Sequence, residues 1–267
     1  GWNSFPRKTE VMDLDGSVLA TLIDQPLRES GGGRGGAGGG NNPRELGWRV
    51  DGAGLTYLQR EPRDDGGDES GGRRGNRDGE LQGRGGRGQG AGDGEENDRK
   101  DRVMVLAAPF DMDQAQVVLE SEDSLSGHSF GRDAKRLFAG VATDDGRVTA
   151  TWDLTADEPQ MDILIEPFEA DELLELPGSL MSRRAPNGSS YTVVSTDGAR
   201  VFLQGPGYAE DFKPTPFIDA LDIDDKSKER VFEGSKDSFD TPMVVLDDDL
   251  ERIIVSRESP TEYAQSY

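Results

Sequence analysis

The pentapeptide Gly127-His128-Ser129-Phe130-Gly131 has the G-x-S-x-G form of a nucleophile elbow. In that device a serine sits on a sharp strand-to-helix turn, with its hydroxyl raised above a sheet. Such a serine needs a separate histidine as general base. The chain has one histidine, and it lies inside the motif. The preceding residues 120–126 (ESEDSLS) are too polar for a buried strand. Residues 132–136 lead into a strand-like Leu-Phe-Ala rather than an amphipathic helix. In a chain with 36 glycines the motif is read as coincidence, and no catalytic residue is assigned.

Other candidates for chemistry are equally plain. The absence of cysteine excludes disulfides, thiolate metal sites and a thiol nucleophile. Asp222-Ile223-Asp224 with Glu233 imitates the first, third and twelfth positions of a calcium loop. Lys226 and Lys228 stand where further ligands belong, and Ser227 replaces the glycine of the sharp turn. The segment therefore reads as a solvated hairpin tip, as does the acidic run at 247–249, and no metal or cofactor is assigned. Asn187-Gly188-Ser189 has the form of a glycosylation sequon and reads as a turn.

Two segments, residues 30–43 and 63–100, are dominated by Gly, Arg, Asp, Glu, Gln and Asn. Arg34-Gly35-Gly36 and Arg84-Gly85-Gly86-Arg87-Gly88 within them are similar to RNA-binding RGG tracts. Such tracts rely on positive charge and interleaved aromatic rings. Residues 63–100 contain no aromatic residue, and their eight basic side chains face ten acidic ones, which points to a disordered insertion between strands. The net charge of −23 repels nucleic acid and anionic membrane, so neither is expected as a partner. No run approaches the ~18–20 apolar residues of a membrane helix. The composition suits a soluble, intracellular protein. Gly1 in place of Met, and Tyr267 directly after a strand-like run, read as cuts through a longer chain from which any targeting segment would be missing.

What remains reads as strands. Residues 9–23 (TEVMDLDGSVLATLI) form two apolar runs around Asp15-Gly16, a hairpin signal. Residues 102–106 with 116–119, 147–152 with 161–165, and 217–223 with 230–232 repeat the theme. A helix of two turns is allowed over 170–176 before Pro177-Gly178 stops it.

Set side by side, the strands reveal a repeat. Trp48 is followed by Asp51, Leu55 and Tyr57, and the same offsets recur as Phe130, Asp133, Leu137 and Ala139. They return as Val194, Asp197, Val201 and Leu203, and as Leu246, Asp249, Ile253 and Val255. An inward apolar residue, an acidic turn and a strand with alternate residues on one face describe each unit. The spacings are 82, 64 and 52 residues, and the 38-residue segment 63–100 accounts for the excess of the first. Units of about 40–50 residues with several short strands match propeller blades; a β-sandwich also has many short strands but would not require a repeating unit. The predicted fold is therefore all-β, a partial β-propeller of about four blades with two long disordered Gly/Arg-rich insertions. Its parts are a hairpin at 1–29, insertion 30–43, strands at 44–62, insertion 63–100 and blades over 101–267. Four blades with incomplete outer members would leave an unclosed ring with exposed terminal edges.

Several phrases resemble the chloroplast glutamyl endopeptidase branch of the prolyl oligopeptidase family. They are Phe5-Pro6-Arg7-Lys8-Thr9-Glu10-Val11 on to Gln25-Pro26-Leu27, residues 46–57 with Gly66-Gly67-Asp68, and Pro177-Gly178-Ser179-Leu180-Met181-Ser182-Arg183-Arg184 running on through 201–207. Residues 216–223, 228–233 and 256–262 add further matches. The resemblance implies a parent in which an N-terminal propeller covers a C-terminal α/β-hydrolase domain carrying Ser, Asp and His. The propeller would admit peptides rather than folded proteins, and the hydrolase domain, its partner, would begin beyond Tyr267. A location in the chloroplast stroma comes from the resemblance alone. For a peptidase selecting glutamate, Arg183 and Arg184 are substrate-contact candidates, since a guanidinium fork matches a carboxylate. Two rival readings are a stand-alone propeller scaffold for protein partners and an RGG-bearing RNA-associated protein.

Overall fold

The computed structural model describes residues 5–25, 42–62, 99–169, 171–235 and 237–267. Among them every regular element except a 3-10 turn at Met112–Gln114 is a strand. Both Gly/Arg-rich insertions read from the sequence fall almost wholly outside the described residues. Residues 171–176 form successive turns instead of a helix, with Glu175 N–H bonded to Glu172 O at 3.0 Å.

The chain opens with a hairpin of β1 (Arg7–Met12) and β2 (Val18–Gln25), and Asp15-Gly16 lies at its tip. Gly16 sits at φ +86°, a left-handed conformation that costs a Cβ-bearing residue. A first four-stranded sheet follows in chain order: β3 (Arg44–Trp48), β4 (Leu55–Arg60), β5 (Asp101–Leu106) and β6 (Gln116–Ser121). Residues 63–98 link the adjacent strands β4 and β5, and Glu61 N–H donates to Lys100 O at 2.8 Å beside that ladder. The second sheet is β7 (Ser124–Phe130), β8 (Arg136–Thr143), β9 (Gly146–Asp153) and β10 (Asp162–Ile165).

The third sheet takes β11 (Ser179–Leu180), then a separate ribbon of β12 (Ser182–Arg184) and β13 (Ser190–Thr192) intervenes. It continues with β14 (Arg200–Gly205), β15 (Phe217–Asp222) and β16 (Lys228–Glu233). The last sheet has three strands, β17 (Phe239–Val245), β18 (Ile253–Ser259) and β19 (Glu262–Ser266). All pairings within these sheets are antiparallel, including the β5–β6, β9–β10 and β15–β16 pairs read from the sequence.

Alternation along each strand explains how the sheets stack. Leu55, Tyr57, Met104 and Leu106 face Val11, Ala20 and Leu22 of the hairpin. Leu58 and Val103, on the opposite face, pack on Leu137, Ala139, Val141, Val148, Ala150 and Trp152 of the second sheet. Phe138 turns the other way and meets Val201, Leu203, Leu221 and Ile223 of the third. Phe202, Ile218 and Ala220 then pack against Val245, Leu250 and Ile253 of the last. Each inner sheet thus buries both faces, so its central strands hold consecutive buried residues such as 137–139 and 201–203. β3 and β13 both contact β7. The first strands of the units therefore gather on one side. Sheets stacked face to face with clustered first strands are the arrangement of a β-propeller.

The repeat is a recurring hairpin. At four residues past its start stand Gly52 (φ 75°), Ala134 (φ 56°), Gly198 (φ 78°) and Leu250 (φ 53°), all left-handed. In the first three units the Asp side chain accepts from the amide two residues on, at 3.0 to 3.1 Å. Arg49, Gly131 and Ser195 donate their N–H to Gly54, Arg136 and Arg200 at 2.9 Å. The fourth unit departs. Its turn is closed by Leu246 N–H to Arg252 O, and Asp249 instead accepts from Thr196 N–H and Oγ1 in the third unit. The expected inward apolar residue also fails at both outer units. Phe130 is buried, whereas Trp48 is 52% and Leu246 44% exposed.

Candidate functional site

The serine motif forms the end of β7, with Gly131 just beyond it, and β7 contacts both β3 and β13. Ser129 is the penultimate residue of the strand, and its Oγ is 2.6 Å from Thr192 Oγ1 on β13. His128 Nε2 is 3.0 Å from Thr56 Oγ1 on β4. Successive side chains of a strand point to opposite faces, so imidazole and hydroxyl are directed apart. Gly127 at φ +61° accompanies a register shift between Ser126 and Ser129 rather than a strand-to-helix elbow. The polar stretch 120–126, read as unable to form a buried strand, is split between the end of β6 and the start of β7, with Leu125 buried. Its backbone is satisfied by the ladder and by Asp101 Oδ2, which accepts from Leu125 N–H at 2.8 Å.

Arg183 and Arg184 lie on β12, whose partner β13 sets Arg183 opposite Tyr191 and Arg184 opposite Ser190. The Arg183 guanidinium pairs with Asp248 and donates to Leu246 O at 3.1 Å. The same carboxylate accepts from Tyr191 Oη at 2.9 Å and from Arg132 Nη1 at 2.8 Å. Asp248 thus joins the turn after β7, the β12–β13 ribbon and the turn after β17. Burial raises its carboxyl, but the bonds from Arg132, Tyr191 and Arg183 outweigh this and hold it below the usual range. Burial and the bond to Asp248 push the Tyr191 phenol up. Arg184 is exposed, and its side chain makes no hydrogen bond or ion pair among the described residues. The residue missed from the sequence is Asp248, which stands one position before the Asp of the repeat.

Between the second and third sheets runs a cleft lined by buried Phe138 and Ile165 and by exposed Glu169, Glu172 and Glu175. Arg147 borders it and donates to Ser126 Oγ at 2.5 Å. Elsewhere, Asp222 Oδ1 accepts from the amides of Asp224 and Asp225, and Glu233 pairs with Arg230, so the calcium-like segment is a hairpin tip. Among the described residues no group of three His, Asp or Glu is placed to hold a metal. Asn187 accepts from Ser189 N–H and Oγ across a turn with Gly188 at φ +83°, and its Nδ2 donates to Val50 O at 3.3 Å. Among the described residues no helix is long and apolar enough to cross a membrane.

Stacked sheets, a repeated hairpin and clustered first strands make this an all-β chain of the propeller class. It is similar over 98% of its length to the probable chloroplastic glutamyl endopeptidases of Arabidopsis thaliana, at 27% identity, and of Oryza sativa subsp. japonica, at 26%. The resemblance seen in separate phrases therefore runs along the whole chain. The chain spans about a quarter (26%) of the length of these curated relatives. Among solved structures it is similar to the β-propeller domain of the Trilobed protease from Pyrococcus furiosus, at 13% identity and a TM-score of 0.41, covering 98% of this chain and 60% of that one. No family model matches the chain.

Proposed function

We propose that this chain is the non-catalytic propeller segment of a serine-type peptidase of the prolyl oligopeptidase family. In this reading it covers an α/β-hydrolase domain of the same protein and admits peptides while excluding folded substrates. The observation that carries the proposal is the similarity over 98% of the chain to two plant relatives named as probable glutamyl endopeptidases. A plastid location follows from the same names. The stacked sheets support it physically, because sheets packed on one another through apolar side chains make a rigid cover. The bond-breaking groups then belong to the hydrolase domain, and Ser129, near the end of β7 against Thr192, serves packing.

Glutamate preference would draw on Arg183 and Arg184. Arg184 is the better fit, since its guanidinium is uncommitted among the described residues, whereas a substrate carboxylate would have to share the Arg183 guanidinium with Asp248. A fluorophosphonate probe, which labels activated serines, tests the assignment on this chain and on the full-length product. Labelling of the full-length product alone is expected, and a labelled isolated chain would sink the reading. In the full-length protein, Arg183→Ala with Arg184→Ala should lower kcat/KM for Glu-containing peptides selectively. An unchanged value removes the arginine pair.

A further inference from the structure

The chain's one histidine lies at the joint between the first and second sheets. Four polar contacts cross that joint. Arg44 on β3 donates to Leu125 O at 3.2 Å, Asp101 on β5 accepts from Leu125 N–H, Glu45 Oε2 accepts from Gly127 N–H at 2.7 Å, and His128 Nε2 meets Thr56 Oγ1. The His128 side chain is only 4% exposed, and its Nδ1 is buried without a hydrogen-bond partner, 3.7 Å from Glu45 Oε2. Glu45 holds its place with a left-handed backbone at φ 54°.

We propose that this joint is proton-responsive: the two sheets lock with His128 neutral, and proton uptake by the ring loosens them. A neutral imidazole carries one N–H, and one ring nitrogen is satisfied by Thr56. The added proton would place a full charge on a ring withdrawn from water, which costs free energy unless a partner compensates. Every charged group facing the ring leaves it short of that. From β3, Glu45 attracts the charge but is 40% exposed and already bonded to Gly127 N–H, while Arg44 repels it. Asp101 on β5 is committed to Arg44 and Leu125. β4 offers only the Thr56 hydroxyl, and the tip of the β12–β13 ribbon offers Gly188, Ser189 and Ser190. Arg49 lies over the neighbouring Phe130 ring at 5.2 Å and adds a like charge. Burial accordingly holds the imidazole below its usual range, with Glu45 opposing and Arg44 assisting. A lowered histidine pKa means that the unfolded chain takes up the proton first. The stabilisation is complete above the ordinary imidazole range of about 6.5 and is lost as pH falls through and below it.

The experiment compares the chain with His128→Gln, whose amide can still reach Thr56, by urea unfolding between about pH 7.5 and about pH 5. The unfolding constant of the unmodified chain should rise relative to the variant by up to about tenfold per pH unit on acidification. Identical pH profiles, or a chain that becomes more stable in acid, would overturn the proposal. Should the variant not fold, the single histidine resonance in NMR decides. It should titrate below the free-imidazole midpoint, and lower still in Glu45→Gln, while the protection factor of Gly127 N–H, the observed exchange corrected for the intrinsic rate, falls in acid. A midpoint at or above the free value, or a protection factor that ignores pH, refutes the joint.

Discussion

Replacing Asp248 by Asn removes one negative charge from beneath three donors without changing shape. The carboxylate side chain is 11% exposed, and the Arg183 side chain 24%, so both are partly withdrawn from water. Hydrogen bonds to charged groups contribute roughly 1.5–3 kcal/mol when removal strands a buried partner. The Arg132 bond adds little, since that side chain is 68% exposed and exposed ion pairs are worth about 0–1 kcal/mol. Arg183 and Tyr191 together therefore put the cost of Asp248→Asn at about 2–3 kcal/mol. At about 2–4 °C per kcal/mol for a chain of this size, Tm should fall by roughly 4–12 °C. Urea unfolding followed by circular dichroism gives the difference, and a double-mutant cycle with Arg183→Leu gives the coupling. Arg132→Ala should cost less than about 1 kcal/mol. If Arg132→Ala cost as much as Asp248→Asn, or the latter cost below about 0.5 kcal/mol, the clasp would be surface decoration and the reasoning wrong.

Three more outcomes follow from the packing. Phe138→Ala empties a fully buried site between the second and third sheets and should cost about 3–5 kcal/mol in chemical denaturation. Asp240, gripped by Nε and Nη2 of Arg257 at 2.8 Å, is held down to about 2. Its stabilisation is complete above the ordinary carboxyl range and lost as pH falls towards about 2, so Asp240→Asn should flatten the acid limb of a stability-versus-pH curve between about 4 and 2. Gly198→Ala meets no atom within 4 Å, so its cost is that of the left-handed backbone alone, about 1 kcal/mol by thermal melt.

Much of the fold was legible because propeller sheets are built from local pairs. The strands β5 with β6, β9 with β10 and β15 with β16 are chain neighbours, and their apolar runs and intervening turns announce them. The repeated Asp was legible too, because it closes its own hairpin through an amide two residues away in three of the four units. Trp48 and Leu246 misled because the pattern reports what a side chain prefers, and the outer units leave these two uncovered. Residues 170–176 carry helix-forming side chains, yet over 171–176 turns prevail where Pro177 follows closely.

By itself, then, the amino-acid order determined many of the local strand pairs and hairpin turns, and that the chain has no histidine besides the one inside Gly127 to Gly131. Periodicity and turn chemistry act over a few residues, so they survive in one dimension. Only the tertiary structure decided that Asp248 gathers Arg132, Arg183 and Tyr191, that Asp249 reaches Thr196, and that His128 closes on Thr56 beside Glu45. Those partners are 53 to 116 residues apart along the chain. Their meeting depends on how whole sheets stack, and stacking is set by the sum of many apolar contacts rather than by any local signal.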